Sequence, residues 1–220
     1  MSQTTTAAPK SAATSAPPKS ISPDWLLMLS KFIRHGSTIA SFVPSSRFLS
    51  KALIHGIDWE KSQCLVELGA GTGPITKQLV KHAKSHTKLI VIEQDPDFCK
   101  RLREKFPHAT NLEIVEGDAG KLDQILAQRG ITMCDHILSG LPTPSLPVSL
   151  REQIMAACQK VLPEHGLFRQ LTNMPWVYFG FYKNYFEKVN FRVVPLNFPP
   201  AGVYYCKGYK GIKADENNAA

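Results

Sequence analysis

The stretch Val66-Glu67-Leu68-Gly69-Ala70-Gly71-Thr72-Gly73 decides how this chain folds. A run of strand-forming residues stops at three glycines set at alternate positions, and helical spacing takes over at Pro74. Such a junction lets bare backbone approach a ligand where side chains would block it. Reading outward, short apolar runs recur at 64–68, 89–93, 112–115 and 135–138, separated by helical spacing near 74–84, 96–106 and 120–129. Strands that alternate with helices pair in parallel through right-handed crossovers. The last third differs: a helix near 148–162, a strand near 166–172, an aromatic-rich helix near 176–187, and strands near 191–196 and 202–207, close enough to form a hairpin. The prediction is a doubly wound α/β fold: a mostly parallel seven-stranded sheet with an antiparallel C-terminal hairpin and helices on both faces.

At 220 residues with 43% apolar content, the chain suits one domain, placed at 37–210, with a modest extension. Lys and Arg number 26 against 18 Asp and Glu, so a formal charge of +8 favours polyanions. Charge alone does not choose between nucleic acid and anionic lipid, which present similar fields to a cation. The five cysteines are odd in number, widely spaced and set in apolar runs, which reads as buried thiols in a reducing cytosol. Neither Cys-x-x-Cys nor clustered His occurs, and no metal is predicted. No run reaches the ~20 apolar residues that span a bilayer. Residues 1–20 and 211–220 lack periodic apolar side chains and read as disordered tails. Pro9, Lys10, Pro17 and Pro18 break any apolar stretch of signal-peptide type.

Between the first tail and the domain, Ser22-Pro23-Asp24 opens a helix within 21–36. Trp25, Leu26, Met28, Leu29, Phe32 and Ile33 fall on one face, whereas Lys31, Arg34 and His35 fall on the other. Two readings stand: an interfacial helix whose apolar side enters the acyl boundary while Lys31 and Arg34 meet lipid phosphates, or a helix packed on its own domain. A second helix is predicted from Ser45 or Ser46 through Arg47 towards Ile54.

The glycine spacing names a cofactor class. A dinucleotide site has Gly-x-Gly-x-x-Gly, with pyrophosphate at the helix N-terminus. Here the order is Gly-x-Gly-x-Gly, preceded by the acidic Glu67, which would repel pyrophosphate. This pattern resembles motif I of the Rossmann-like class I methyltransferases, whose S-adenosylmethionine brings an ammonium and a sulfonium that negative potential stabilises. A strand-end carboxylate with no ligand is the other reading of Glu67. Twenty residues past Gly73, Glu93 ends the second strand beside Gln94, where a carboxylate accepts hydrogen bonds from ribose hydroxyls. At the third strand end the resemblance gives Asp118 the adenine amino group and the Ala119 N–H a ring nitrogen; helix capping is the alternative for Asp118. The cofactor-binding set is Glu67, Gly69, Gly71, Gly73, Glu93, Gln94, Asp118, Ala119 and Ser139, with S-adenosylhomocysteine as product.

After the fourth strand comes Ser139-Gly140-Leu141-Pro142-Thr143. It resembles the Asn-Leu-Pro-Tyr of the rRNA adenine dimethyltransferases, but Thr143 stands where Tyr would be, which removes the stacking partner of a flipped adenine. Four segments together resemble the bacterial phospholipid N-methyltransferases: residues 42–49 (Phe-Val-Pro-Ser-Ser-Arg-Phe-Leu), the glycine core, Ser139-Gly140-Leu141-Pro142, and residues 197–204 (Asn-Phe-Pro-Pro-Ala-Gly-Val-Tyr). The chain departs from that family at Asn173-Met174-Pro175, where Tyr is usual.

The resemblance implies N-methylation of phosphatidylethanolamine towards phosphatidylcholine by a cytosolic protein held peripherally on an anionic inner membrane, without nucleic acid. The alternatives are another amino-lipid such as ornithine lipid, or rRNA adenine. Ser139 and the Gly140 carbonyl are the candidates for holding the amine, with Leu141 and Pro142 shaping its pocket. Arg47 is assigned a lipid phosphate or the cofactor carboxylate, with a solvated helix charge as the alternative. Tyr178, Tyr182 and Tyr204 are placed at a cationic headgroup, with ordinary packing as the alternative for Tyr182.

Overall fold

The computed structural model describes residues 46–172, 177–195 and 201–210. Both predicted tails, the 21–36 helix with its candidate membrane residues Trp25, Leu26, Leu29, Lys31, Phe32, Ile33 and Arg34, and residues 173–175 and 197–200 lie outside that set.

The chain runs α1 (Ser46–Leu53), β1 (Cys64–Leu68), α2 (Pro74–His82), β2 (Lys88–Glu93), α3 (Pro96–Lys105), β3 (Leu112–Glu116), a 3₁₀ turn (Ala119–Lys121) leading into α4 (Leu122–Ala127), and β4 (His136–Ser139). A 3₁₀ turn (Thr143–Ser145), α5 (Val148–Val161), β5 (Leu167–Thr172), α6 (Phe179–Tyr185), β6 (Phe186–Val194) and β7 (Ala201–Tyr209) complete it. The sheet has seven strands in the order β3-β2-β1-β4-β5-β7-β6. β1 to β5 pair in parallel, while β7 lies antiparallel to both β5 and β6. The predicted fold class therefore stands, seven strands and hairpin included.

Burial explains why the early strands were readable. All five positions of β1 are buried, as are Leu89 to Glu93 of β2, because helices cover both faces. On one face Val66, Leu68, Ile90, Ile92 and Ile137 pack with α4 and α5; on the other Leu65, Leu89 and Leu138 pack with α1 and α2. Asp95 caps α3, accepting from the Asp97 and Phe98 N–H groups at 2.9 and 3.2 Å, with Pro96 in the first turn.

The C-terminal third needs one correction and adds one detail of strand order. The aromatic helix predicted at 176–187 is confined to Phe179–Tyr185, and β6 begins at Phe186. Phe186 pairs with Tyr209 and stacks on Phe168 at 5.5 Å, so tertiary pairing overrides helical spacing there. The hairpin also turns inward: β7, last in sequence, is inserted between β5 and β6.

A buried arginine fixes α1 to this sheet. Arg169 of β5 donates to the Leu53 and His55 carbonyls at 2.7 and 2.8 Å, where a helix leaves carbonyls unpaired and partly negative. The Tyr205 hydroxyl donates to the Ala52 carbonyl beside it. Burial lowers the Arg169 pKa to about 10, which keeps it charged at neutral pH.

Candidate functional site

The strand order reverses between β1 and β4, and the crevice at such a reversal is where doubly wound sheets bind ligands. The loops leaving these two strands touch there. The glycine loop takes φ values of 72°, 53° and 80° at Gly69, Gly71 and Gly73, a region costly for other residues. A Cβ on Gly140 would stand 2.7 Å from the Gly69 carbonyl oxygen, so the acceptor loop lies backbone against backbone on the glycine loop.

Glu93 ties this junction to the second strand. One carboxylate oxygen accepts from the Gly71 N–H at 2.8 Å, and the other from Gln94 and Asp95 at 2.8 and 3.0 Å. Gly69, Glu93, Gln94, Asp118, Ala119 and Leu141 line one cavity at the strand tips, and Leu146, Leu150 and Ile154 give it an apolar wall. Six residues predicted from sequence therefore meet around a single space. Asp118 also caps the following turn, accepting from the Gly120 N–H at 2.8 Å, which is the capping reading of that residue.

Glu67 sits behind the loop with no exposed surface. One oxygen accepts from the Thr76 hydroxyl at 2.7 Å, whereas Oε1 is buried without a partner. Burial raises its pKa to about 8 against the pull of the Thr76 hydrogen bond, with a smaller push from the Glu93 charge. An orphaned, proton-holding carboxyl beside a glycine cradle fits a ligand that carries an ammonium.

A bound cation favours the ionised form, so binding is expected to expel a proton between about pH 6 and 8. Calorimetry in buffers of different ionisation enthalpy reads that proton, and Glu67→Gln should abolish it. The sign for stability agrees. Because the native pKa lies above the unfolded value, native Glu67 retains a proton that the unfolded chain loses, so stability falls as pH rises from about 4.5 to 8. Glu67→Gln should remove that slope.

The acceptor loop is held from below by a residue the sequence reading missed. Gln170, on β5 opposite Ser139, is 2% exposed. Its Nε2 lies 2.6 Å from the Leu141 carbonyl, 2.8 Å from that of Leu171 and 3.2 Å from that of Ser139; its Oε1 accepts from the Thr143 hydroxyl at 3.2 Å. The Leu141 N–H donates to Ser139 Oγ at 3.3 Å, and the Gly140 N–H to the Leu68 carbonyl at 2.9 Å. Among the described residues nothing donates to the Gly140 carbonyl, the group predicted to receive the amine. A polar residue on the inward face of an apolar strand, in phase with Phe168, was the available signal for Gln170.

The three tyrosines separate. Tyr178 is half-buried, and its hydroxyl lies 3.2 Å from Ser145 Oγ at the edge of the acceptor loop. Tyr182 and Tyr204 are fully buried in an aromatic core, 4.9 Å apart, with Phe168 against Tyr182 and Phe179 and Phe191 against Tyr204. That corrects their placement at a cationic headgroup: neighbouring rings occupy the faces a cation would need. The Arg47 backbone lies in the first turn of α1, and its side chain falls outside the described residues.

Comparison with known proteins matches this division of the site. The ribosomal RNA adenine dimethylase family model matches residues 40–144, which covers the cofactor half and the acceptor loop. An ornithine lipid N-methyltransferase from Singulisphaera acidiphila is 48% identical over 187 residues, spanning 85% of this chain and 97% of that protein. The chain belongs to the family of that enzyme. It is an S-adenosylmethionine-dependent methyltransferase related to the rRNA adenine dimethylases. A ribosomal RNA small subunit methyltransferase A from Mycoplasma capricolum is 36% identical, but over only 38% of this chain and 29% of its own length. Among solved structures, a Burkholderia thailandensis 1,6-didemethyltoxoflavin-N1-methyltransferase superimposes with a TM-score of 0.61 at 13% identity, over 90% of this chain and 95% of that one. The Haemonchus contortus phosphoethanolamine N-methyltransferase 1 gives 0.61 at 14% identity, over 86% and 50%. These two likenesses establish the shared fold of the methyltransferase.

Proposed function

We propose that this enzyme methylates the side-chain amine of an ornithine lipid at a membrane surface. One observation carries the choice. Similarity to the ornithine lipid enzyme runs through both halves of the chain, whereas the RNA dimethylase model stops at residue 144, before α5 and the last three strands. This favours the ornithine lipid alternative over phosphatidylethanolamine.

Bound S-adenosylmethionine supplies an electrophilic methyl group on a sulfonium. Glu93 would hold the ribose, Asp118 and Ala119 the adenine edge, and Glu67 the ammonium end. The amine must present a lone pair, so an alkylammonium first gives up a proton to solvent. The Gly140 carbonyl and the Ser139 hydroxyl then orient its remaining N–H groups. Holding both reactants in line replaces a bimolecular encounter, which is the main service such a site performs.

A basic groove supports the membrane part of this reading. Lys51 and His55 of the α1 region and Arg192 of β6 border it, with Ala52, Val193 and Val194 as an apolar floor and a volume of about 310 Å³. β6 runs parallel to β4 and β5, so Val194 lies at the same sheet edge as the acceptor loop. Cations over an apolar floor suit lipid phosphates above acyl chains. No described helix is long and apolar enough to cross a membrane.

The test uses labelled S-adenosylmethionine with three acceptors: liposomes containing ornithine lipid, liposomes containing phosphatidylethanolamine, and rRNA. Label is expected in the ornithine lipid; label confined to either other acceptor overturns the proposal. The double variant Lys51→Glu, Arg192→Glu should lower the affinity for anionic liposomes, read by sedimentation, by about 30-fold or more, near 1 kcal/mol per removed cation, and leave cofactor affinity unchanged.

A further inference from the structure

We propose that Gln170 is a positioning residue that sorts the carbonyls of the acceptor loop, binding those of Ser139 and Leu141 and leaving that of Gly140 to receive the amine. The role rests on the amine-methylating function above.

The amide orientation is set by its surroundings. Three carbonyl oxygens lie within 3.2 Å of Nε2, and a hydroxyl lies at Oε1. Turning the amide over would set its oxygen against three other acceptors. With two hydrogens on Nε2, the short contacts to Leu141 and Leu171 take one each, and Ser139 shares at longer range.

This arrangement alternates along the loop. The Ser139 carbonyl and the Gly140 N–H hold the 139–140 peptide plane through Gln170 and Leu68, the Leu141 N–H holds the 140–141 plane through Ser139 Oγ at 3.3 Å, and the Leu141 carbonyl holds the next plane through Gln170. The Gly140 carbonyl therefore keeps one direction, with no donor on it among the described residues. A satisfied buried polar group holds its neighbours more rigidly than an apolar side chain of the same volume.

Thr143 extends the clamp. Its buried hydroxyl donates to Gln170 Oε1, which fixes the chain where it leaves Pro142. At the far end of the same turn, Ser145 Oγ meets the Tyr178 hydroxyl, and the Tyr178 N–H donates at 3.1 Å to the hydroxyl of Tyr204, the β7 residue paired with Gln170. Gln170 and Tyr204 thus support the acceptor loop at its start and its end from one rung of the sheet. An aromatic in place of Thr143 has no hydroxyl at that reach, so Gln170 and Thr143 belong together.

Gln170→Met separates positioning from packing, because methionine keeps the volume and loses all four polar contacts. In protein saturated with S-adenosylmethionine and mixed with ornithine lipid vesicles, the single-turnover rate constant should fall about 10- to 30-fold. Cofactor Kd should stay within about threefold. A rate constant equal to that of the parent, with only the amplitude reduced, means a packing role and overturns the proposal. Hydrogen exchange of the 139–143 segment provides a readout independent of substrate, and Gln170→Met should speed it about 10-fold. Unchanged exchange overturns the clamp whichever acceptor the enzyme uses. If the parent ignores ornithine lipid yet the exchange prediction holds, the substrate assignment has failed and the clamp has not.

Discussion

Replacing Glu93 by alanine is expected to weaken S-adenosylmethionine binding by about 100-fold or more, the largest loss of affinity from any single truncation in this site. Its carboxylate would accept from both ribose hydroxyls, and hydrogen bonds to a charged group contribute about 1.5–3 kcal/mol each. Two such bonds correspond to a factor between about 10² and 10⁴ in Kd. The carboxylate also accepts from the Gly71, Gln94 and Asp95 N–H groups, so alanine loosens the glycine loop as well as the ribose contact. Glu93→Gln keeps the side-chain size but has one acceptor oxygen where the carboxylate has two, so it can serve the Gln94 and Asp95 N–H groups or that of Gly71 but not both, and it should recover only part of the loop order and part of the affinity. Calorimetry with S-adenosylmethionine and S-adenosylhomocysteine measures each Kd. If Glu93→Ala binds as the parent does, the ribose assignment and the cavity built around it are wrong.

Glu93 was legible because its position has a mechanical cause. A central parallel strand is buried on both faces, so its sequence is a continuous apolar run, and the first carboxylate after Leu89-Ile90-Val91-Ile92 marks the tip. Glu67 stands near the end of another such strand, whereas the roles of Asp118 and Ser139 came from the resemblance of the segments that follow β3 and end β4. Gln170 escaped because a strand does not announce which polar residue faces inward. Arg169 and Gln170 are adjacent, point to opposite faces and are both buried, one under α1 and the other under the acceptor loop. Only the packed structure distinguishes their tasks. Tyr182 and Tyr204 failed for a related reason: an aromatic at helical or strand spacing fits a ligand wall as well as a core. The insertion of β7 between β5 and β6 is likewise absent from local pattern, since either antiparallel order satisfies the same alternation.

Neither pattern nor packing supplies the acceptor, which rests on kinship. The residues that cradle the cofactor are shared ground between RNA and lipid methyltransferases, and the family model ending at residue 144 respects that boundary. On the ornithine lipid proposal, specificity is assigned to the C-terminal elements: α5, α6, the final strands and the groove beside β6. Thr143 already departs from the aromatic pattern that a flipped base requires. An amine on a flexible lipid headgroup has no π-face to stack, so a hydroxyl- and carbonyl-lined loop without an aromatic suits it.

Gly140→Ala is expected to lower methyl transfer by about 100-fold while cofactor affinity falls less than about 10-fold. A methyl group at residue 140 would stand 2.7 Å from the Gly69 carbonyl oxygen and 3.7 Å from that of Leu68. Both are backbone atoms at the tip of β1, so neither can rotate away. The acceptor loop must therefore lift off the glycine loop. The Gly140 carbonyl moves with it, and a misplacement near 1 Å costs about 10²-fold in rate. The cofactor contacts assigned to Glu93, Asp118 and Ala119 stand at the end of β2 and in the turn that follows β3, and do not depend on that lift. Gly69→Ala makes the informative contrast. Its Cβ meets the Leu141 side chain at 2.5 Å, which can shift, but its φ of 72° is strained for alanine, so cofactor binding should suffer first. Single-turnover rates beside calorimetric Kd values separate the two variants. Equal losses of rate and affinity in Gly140→Ala would mean that the loops move as one body and that the acceptor carbonyl has no position of its own.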